Sequence, residues 1–259
     1  MLRRTLIAAP ALLLATQASA QTPPITPHDM LVAADAMRNP GQPFRVTSTL
    51  TDYVAGRPRD KIVLVVFARE DKAAKRFDNL IRYVEPPRDA GKLVLFNGTS
   101  LWFYDPASKA AVRISPQQRL TGQASNGDVL TVNLQKDYKA TIIGPESLQD
   151  ADRQARATWH LDLIAGTPDA IYSRMELWLE QGTYRMVKGK FYSDSGRLLK
   201  VAYYRRYQEQ LGVLRPTETI LIDALDSSLV TSVASSDMRL QDIPDAWFQR
   251  DFLPRLKID

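Results

Sequence analysis

Residues 75–106 constrain the fold more than any other stretch of the sequence. Apolar and polar side chains alternate along it, and Pro86-Pro87 and Asn97-Gly98 interrupt the alternation. A period of two is typical of β-strands, and Asn-Gly is a preferred two-residue turn between antiparallel strands. The stretch therefore predicts three consecutive antiparallel strands.

Three segments are apolar on both faces of the predicted sheet. Residues 62–67 are apolar at every position, and residues 93–96 and 101–104 repeat the pattern. Successive side chains of a strand point to opposite sides, so each segment needs a cover on both of its faces. One cover is the ordinary core. The other is either a second layer of protein or a cavity that holds hydrocarbon, and the sequence leaves both open.

The same region resembles a known family. An arginine-led strand (Lys75-Arg76), the proline-bearing turn, Gly91 and the run NGTSLWFYDP at residues 97–106 are similar to the signature of the periplasmic lipoprotein carriers of the LolA-like superfamily. Residues 85–92, 111–115 and 190–200 resemble more closely the outer-membrane lipoprotein-sorting proteins of that superfamily. The resemblance implies a mainly β, single-domain fold. We expect an incomplete, half-open antiparallel β-barrel of about eleven strands, with a short N-terminal helix and a lid made of a loop or a helix.

The resemblance also implies a function. Carriers of this kind bind the acyl chains of lipoproteins, or another lipid, in a hydrophobic cavity and deliver them toward the outer membrane. The expected partners are these acyl chains, an inner-membrane donor transporter and an outer-membrane acceptor. We expect a monomer without a cofactor. A periplasmic lipid-sensing module and an accessory of an envelope lipid exporter stay open as alternatives.

Nine apolar residues of the predicted helix and strands are candidates for the cavity lining. They are Leu31, Met37, Leu64, Val66, Leu95, Trp102, Tyr104, Trp159 and Leu161. Arg76 is the candidate for latching the lid. It resembles the arginine at the start of the equivalent carrier strand, which ties the lid to the barrel in the closed form.

The first twenty residues contain the three parts of an export signal in the right order. RR at residues 3–4 is a basic start, residues 6–15 are a short apolar run, and ASA at residues 18–20 is a small-residue cleavage site. We therefore expect a signal at residues 1–20 and a carrier domain at residues 21–259, in the periplasm. The sequence has no cysteine, so neither a lipid anchor nor disulfides are expected.

The charge of the chain argues against nucleic acid. The net charge is +5, and without the two signal arginines 32 basic residues remain against 29 acidic ones, which is only mildly basic. No basic run contains interleaved aromatic residues of the kind that form a groove for single strands. A weakly basic surface would suit an anionic membrane or an acidic partner, but scattered solvated charge is the simpler interpretation. No apolar run after the signal has the length of a membrane span.

Two further segments have a predicted role near the cavity. Residues 27–38 carry apolar side chains at helical spacing before Asn39-Pro40-Gly41, which predicts one amphipathic helix, either packed inside the barrel against cargo or simply closing the core. Residues 115–138 have few strand signals, so they are either a mobile cover over the cavity or a solvated excursion. In the lipoprotein-sorting group this region usually carries a Gly-Ser-Asp-Phe-Ser run and a nearby Asp-Leu. In this sequence, Asp128 and Leu134 align with residues of that motif.

The second half of the chain predicts a meander of strands. Residues 153–165 alternate cleanly, and five further segments follow, separated by glycine and Asp/Ser turns. Short strands at regular spacing are typical of a sheet curled into a barrel or sandwich. The tail at residues 243–254 resembles the closing segment of the sorting group, and we expect it to plug one end of the sheet.

The sequence contains no recognisable catalytic or metal motif. The two histidines, His28 and His160, lie far apart, and the zinc-protease, nucleophile-elbow and phosphate-loop patterns are all missing. A pair of carboxylates distant in sequence would leave no local pattern. We therefore do not expect an enzyme or a metal site.

Overall fold

The computed structural model describes residues 25–74, 76–98 and 100–257. The export signal predicted at residues 1–20 lies outside these ranges. The helices and strands in chain order are α1 (Pro27–Arg38), β1 (Phe44–Val54), β2 (Arg57–Asp71), β3 (Arg76–Glu85), β4 (Leu93–Asn97), β5 (Ser100–Asp105), β6 (Ala110–Ile114), β7 (Arg119–Thr121), β8 (Ala124–Ser125), α2 (Leu134–Asp137), β9 (Tyr138–Gln149), β10 (Ala155–Ala165), β11 (Arg174–Glu180), β12 (Met186–Tyr192), β13 (Leu198–Gln210), β14 (Val213–Asp223) and β15 (Leu229–Leu240). Short 3-10 helices lie at Asn126–Val129, Asp245–Phe248 and Arg250–Arg255.

One antiparallel sheet dominates the part of the chain that the structure describes. Its thirteen strands follow the order β6-β5-β4-β3-β2-β1-β15-β14-β13-β12-β11-β10-β9, and β7 and β8 form a separate small ribbon. Strand β1 pairs with both β2 and β15, which joins the two halves of the chain. The fold is therefore mainly β, as expected. The sheet is not closed into a barrel, because β6 and β9 are free edges, and its strand count differs from the expected eleven.

The two strands that sequence patterning missed are the two edges of the sheet. Strand β6 is short and mostly exposed, so it has little of the apolar alternation that marks a half-buried strand. Strand β9 contains Gly144 and Pro145 beside an irregularity in its pairing with β10. Proline is tolerated on an edge strand, where its missing N–H faces away from the ladder. Strand β6 thus lacks the alternation on which the strand prediction depends, whereas β9 alternates over residues 138–143 until Gly144 and Pro145 interrupt it.

The two faces of the sheet carry separate apolar clusters. On what we call the inner face, Leu64 and Val66 of β2 and Leu161 and Leu163 of β10 pack with the buried side of α1. On the outer face of β2–β5, the buried residues pack against the C-terminal segment; they are Phe67, Leu80, Leu93, Leu95 and Tyr104 on the strands and Ile243, Phe248 and Leu253 in the segment. The tail therefore covers one face of the sheet rather than plugging its end.

Helix α1 has the predicted bounds because its ends are encoded locally. Thr26 and Asp29 form a reciprocal capping box around Pro27, and the helix ends before Pro40. Met30, Leu31 and Ala34 are almost completely buried on the inner face of the sheet. The helix thus fills part of the space that the curved sheet surrounds.

The outer cover yields a stability prediction. Leu253 is 1% exposed and Leu225 is 86% exposed, so the same truncation can be compared at a buried and an exposed site. We expect Leu253→Ala to lower the free energy of unfolding by about 2–5 kcal/mol, because it leaves a cavity under the C-terminal segment. Leu225→Ala should change it by less than about 0.5 kcal/mol. Urea denaturation of both variants measures the difference, and equal stabilities would contradict the cover's role.

Candidate functional site

The inner face contains a cavity of about 190 Å³. It lies between the end of α1, the segment before β9 and the inward side chains of β1 and β11–β15. Its lining residues include Phe44, Val46, Val129, Leu130, Leu134, Met175, Leu177, Met186, Phe191, Leu221 and Val233. Arg38, Asn39 and Gln210 also line it and are only partly buried, so the cavity approaches the surface beside the C-terminus of α1.

The lining is suited to hydrocarbon. Apolar cavities of roughly 150 Å³ in proteins stay dry and bind benzene-sized molecules. The cavity described here is somewhat larger, about 190 Å³, so it has room for part of an alkyl chain. Pockets that enclose a drug-sized ligand are roughly 300–1,000 Å³. A whole lipid therefore requires the covering elements to move.

The segment of residues 115–137, which we call the lid, covers this cavity. Val129, Leu130 and Leu134 are buried in the inner apolar cluster, which excludes a solvated excursion. Polar contacts hold the lid in place: Thr131 N donates to Asn79 Oδ1 at 2.8 Å, and Asn79 Nδ2 donates to Thr131 O at 3.1 Å. Asn39 Nδ2 also donates to Val132 O at 3.1 Å.

A buried ion pair fixes the middle of the lid to β13. Lys200 Nζ pairs with Asp128 Oδ2, and Tyr172 OH donates to Asp128 Oδ1 at 2.9 Å. Lys200 is 5% exposed, and burial is the main cause that raises the pKa of the Tyr172 hydroxyl well above its usual value. Removing one member of such a pair leaves a buried charge without a partner, which is strongly destabilising. The cluster therefore holds the lid against the sheet.

A close approach fixes the start of the lid. Gly122 has a φ of +47°, and a Cβ at this position would lie 1.5 Å from Asp52 Oδ1 and 2.4 Å from Thr231 Oγ1. Gln123 N donates to Thr231 Oγ1 at 2.8 Å, and Thr231 Oγ1 donates to Asp52 Oδ1 at 2.7 Å. The turn between β7 and β8 thus rests directly on β1 and β15, and only glycine fits there.

Arg76 lies away from the contacts that hold the lid. It begins β3, its Nη2 lies 3.8 Å from Asp71 Oδ2, and its guanidinium faces Gly98. None of the contacts described above between the lid and the rest of the protein is made by Arg76; they are made by Asn39, Asp52, Asn79, Tyr172, Lys200 and Thr231. Its assignment as a latch stays a prediction.

None of the nine predicted lining residues is among those that line this cavity. Leu31, Leu64, Val66 and Leu161 lie in the inner apolar cluster, and Trp159 packs against it. Met37 is partly buried, and its carbonyl oxygen accepts a hydrogen bond from Arg215. Leu95, Trp102 and Tyr104 lie on the outer face with the C-terminal segment, because alternation along β4 and β5 turns them away from α1. Ligand contact by these nine residues stays a prediction.

Sequence reasoning missed the charged residues of the site. Lys200 interrupts an apolar strand at an inward position, and Asp128 is the residue that corresponds to the motif of the sorting group. Their separation of 72 positions leaves no local pattern that pairs them. Arg215 is likewise inward-facing on β14, in register with Thr217, Thr219 and Leu221.

Neither a metal site nor a membrane-spanning helix is found in the described part of the chain. Residues 25–74, 76–98 and 100–257 contain no group of three or more His, Asp or Glu side chains that could hold a metal ion. Within the same ranges, no helix has the length and apolar character needed to cross a bilayer.

Comparison with known proteins gives the family. A family model described as an uncharacterized protein matches residues 75–255. A LolA superfamily protein from Nitrosomonas europaea is 32% identical, with 88% of this chain and 99% of that chain covered and a TM-score of 0.77. This chain belongs to the LolA superfamily.

Two more distant structures share the LolA fold. A DUF1329 family protein from Desulfovibrio piger is 20% identical, with 87% of this chain and 97% of that chain covered and a TM-score of 0.72. A domain from Vibrio parahaemolyticus assigned to outer membrane lipoprotein sorting is 19% identical, with the same coverage and a TM-score of 0.71. A search of curated proteins returns no match.

A buried carboxyl group joins α1 to the lid. Asp35 Oδ2 accepts a hydrogen bond from Gln135 N at 2.9 Å, whereas Oδ1 has no hydrogen-bond partner among the residues that the structure describes. Burial raises the pKa of Asp35 to about 6, against the opposing effect of Arg38, whose Nη1 lies 3.6 Å from Oδ1. The nearby Asp137 carboxylate raises the pKa slightly further.

The pKa of Asp35 predicts a pH-dependent stability. The folded protein holds the Asp35 proton more tightly than the unfolded chain, so the free energy of unfolding from this group falls as pH rises from the unfolded pKa toward 6 and beyond. Between about pH 5 and about pH 8 the loss is roughly 1 kcal/mol. Asp35→Asn should remove it while keeping an acceptor for Gln135 N.

Denaturation at both pH values, with the exposed Asp194→Asn as control, measures this effect. The stability of Asp35→Asn relative to the unsubstituted protein should rise with pH, and that of Asp194→Asn should not. A constant difference for Asp35→Asn would contradict the assigned titration.

Proposed function

We propose that this protein is a periplasmic carrier that binds acyl chains of lipoproteins, or of another lipid, and delivers them toward the outer membrane. The observation that carries the proposal is the mostly apolar cavity on the inner face, covered by a lid that polar contacts and buried apolar side chains together hold in place. Membership of the LolA superfamily supports the same role.

The energetics of the cavity are consistent with tight but reversible binding. Burial of hydrocarbon contributes about 0.8 kcal/mol per methylene, so a chain of about ten methylenes contributes roughly 8 kcal/mol before the cost of opening the lid. Opening exchanges contacts such as Asn79–Thr131 for hydrogen bonds with water, and each exchange costs only about 1 kcal/mol. The closed, empty state and the open, loaded state can therefore be close in free energy, which a carrier needs for release.

The proposed pathway requires two partners. A donor transporter in the inner membrane loads the carrier, and an acceptor at the outer membrane receives the cargo. The proposal includes export by residues 1–20 and a monomeric carrier in the periplasm. Enzymatic activity is not part of it.

A cavity-filling variant tests acyl binding. Val233 lines the cavity, and Val84 is 40% exposed at the end of β3. We expect Val233→Phe to weaken uptake of an acyl fluorophore by about tenfold or more, because the larger ring occupies the space of the chain. Val84→Phe should bind as the unsubstituted protein does, and thermal unfolding checks that both variants are folded.

Lipid extraction and mass spectrometry of protein purified from its native envelope complete this test. Co-purifying lipid that is depleted in Val233→Phe supports the carrier. No saturable uptake and no co-purifying lipid would overturn it.

A glycine pair tests whether the lid controls access. Gly122 and Gly212 both have positive φ, but only at Gly122 would an added Cβ meet other atoms within 4 Å. Gly122→Ala should displace the start of the lid, whereas Gly212→Ala carries only the backbone strain.

We expect hydrogen exchange in residues 115–137 and release of the fluorophore to be about tenfold faster in Gly122→Ala than in Gly212→Ala. Equal exchange and release rates in the two variants would contradict a gating role for the lid.

A further inference from the structure

Arg215 is a buried cation on the cavity wall. It lies on the inward register of β14 and lines the cavity together with Thr219 and Leu221. The residue is 3% exposed. Arginine stays protonated in proteins, and desolvation lowers the pKa of this guanidinium without any described carboxylate that would raise it. A full positive charge therefore lies inside a largely apolar cavity wall.

The described hydrogen bonds of Arg215 use only part of its donor set. Nε donates to Gln210 O at 3.1 Å, and Nη1 donates to Met37 O at 2.7 Å and to Ala36 O at 3.4 Å. Nη2 donates to no residue within the described ranges. Its two N–H groups are thus available to a ligand.

The other charged residues that line the cavity are already paired. Arg38 lies 3.6 Å from Asp35, and Asp128 pairs with Lys200. Within residues 25–74, 76–98 and 100–257, Arg215 has no acidic partner. The carbonyl end of α1 offers about half a negative charge to Nη1, and Nε is taken by the Gln210 carbonyl at the end of β13, so neither contact accounts for Nη2.

A buried cation without a counter-ion is costly, and a positioned anion removes much of that cost. Guanidinium groups bind carboxylates and phosphates through charge-assisted hydrogen bonds, which are the strong class of hydrogen bond. We propose that the cavity takes a single-chain amphiphile with an anionic terminus, and that the terminus pairs with Arg215 Nη2 while the chain occupies the apolar part of the cavity. This inference rests on the proposed acyl binding and narrows its ligand class.

Ligands that differ only in their terminus test the proposal. Decanoate, decyl phosphate and decanol share one alkyl chain, and competition against the acyl fluorophore gives their relative affinities for the purified protein. We expect one or both anions to bind about tenfold or more tightly than decanol. Preference between decanoate and decyl phosphate tells whether a carboxylate or a phosphate is the better partner.

Two substitutions assign the preference to Arg215. In Arg215→Met the anions should fall to the affinity of decanol while decanol binding is retained, and Arg215→Lys should keep part of the preference. Exposed Arg239→Met is the control and should keep all of it. A residue that only caps α1 would instead weaken all three ligands together.

The outcomes separate this inference from the proposed function. Equal binding of decanol and both anions by the unsubstituted protein overturns the anionic terminus and leaves acyl binding intact. Binding of none of the three overturns both. A preference that persists in Arg215→Met overturns the assignment to Arg215. If that variant does not fold, a reduced preference in Arg215→Lys supports the assignment, and an unchanged preference overturns it.

Discussion

The need to cover two apolar faces of one sheet governs this structure. Strands β2–β5 are apolar on both sides, and each side is covered by chain from a distant part of the sequence. The outer cover is the C-terminal segment, which inserts Ile243, Phe248 and Leu253 into a dry cluster. The inner cover consists of α1 and the lid, and it leaves a space unfilled. The two faces of the sheet therefore differ in that the described cavity lies on the inner face.

Both covers combine buried apolar contacts with polar ones. Separation of the outer cover exposes buried apolar surface, which costs about 25 cal/mol per Å², and it also breaks polar contacts such as the Arg69–Asp245 ion pair and the hydrogen bond from Asn97 Nδ2 to Phe248 O. The lid also buries Val129, Leu130 and Leu134, but its specific attachments are hydrogen bonds and the Lys200–Asp128 pair, which water can replace. An acyl chain that enters beneath the lid replaces the apolar contacts that these three residues lose. The lid therefore differs from the outer cover in having a cavity beneath it, which is what the proposed exchange of cargo requires.

The helices and strands that could be predicted are those whose signals lie within a few neighbouring residues. The bounds of α1 and the existence of β3, β4 and β5 were predictable because capping and alternation act over a few residues. Strand β6 escaped prediction because an exposed edge needs no alternation, and β9 because Gly144 and Pro145 interrupt its alternation. The strands that are apolar on both faces predicted a cover on each face of the sheet. They did not tell which cover is packed protein and which encloses a cavity. Leu95, Trp102 and Tyr104 are an example. Their strand pattern indicated that they are buried, but only the tertiary structure shows that they lie on the outer face, under the C-terminal segment.

The partners of the charged residues in the site could not be predicted from sequence, because each residue and its partner lie far apart along the chain. Arg215 donates to the carbonyl groups of Ala36 and Met37, which precede it by 179 and 178 positions in the sequence. Lys200 contacts Asp128 only when the lid lies over β13. Inward-facing charges on alternating strands nevertheless carry information of their own. A buried lysine that finds a carboxylate needs no ligand, whereas a buried arginine with a free Nη2 edge beside a cavity still needs an anion. By this criterion Lys200 belongs to the closure of the lid and Arg215 to the recognition of cargo.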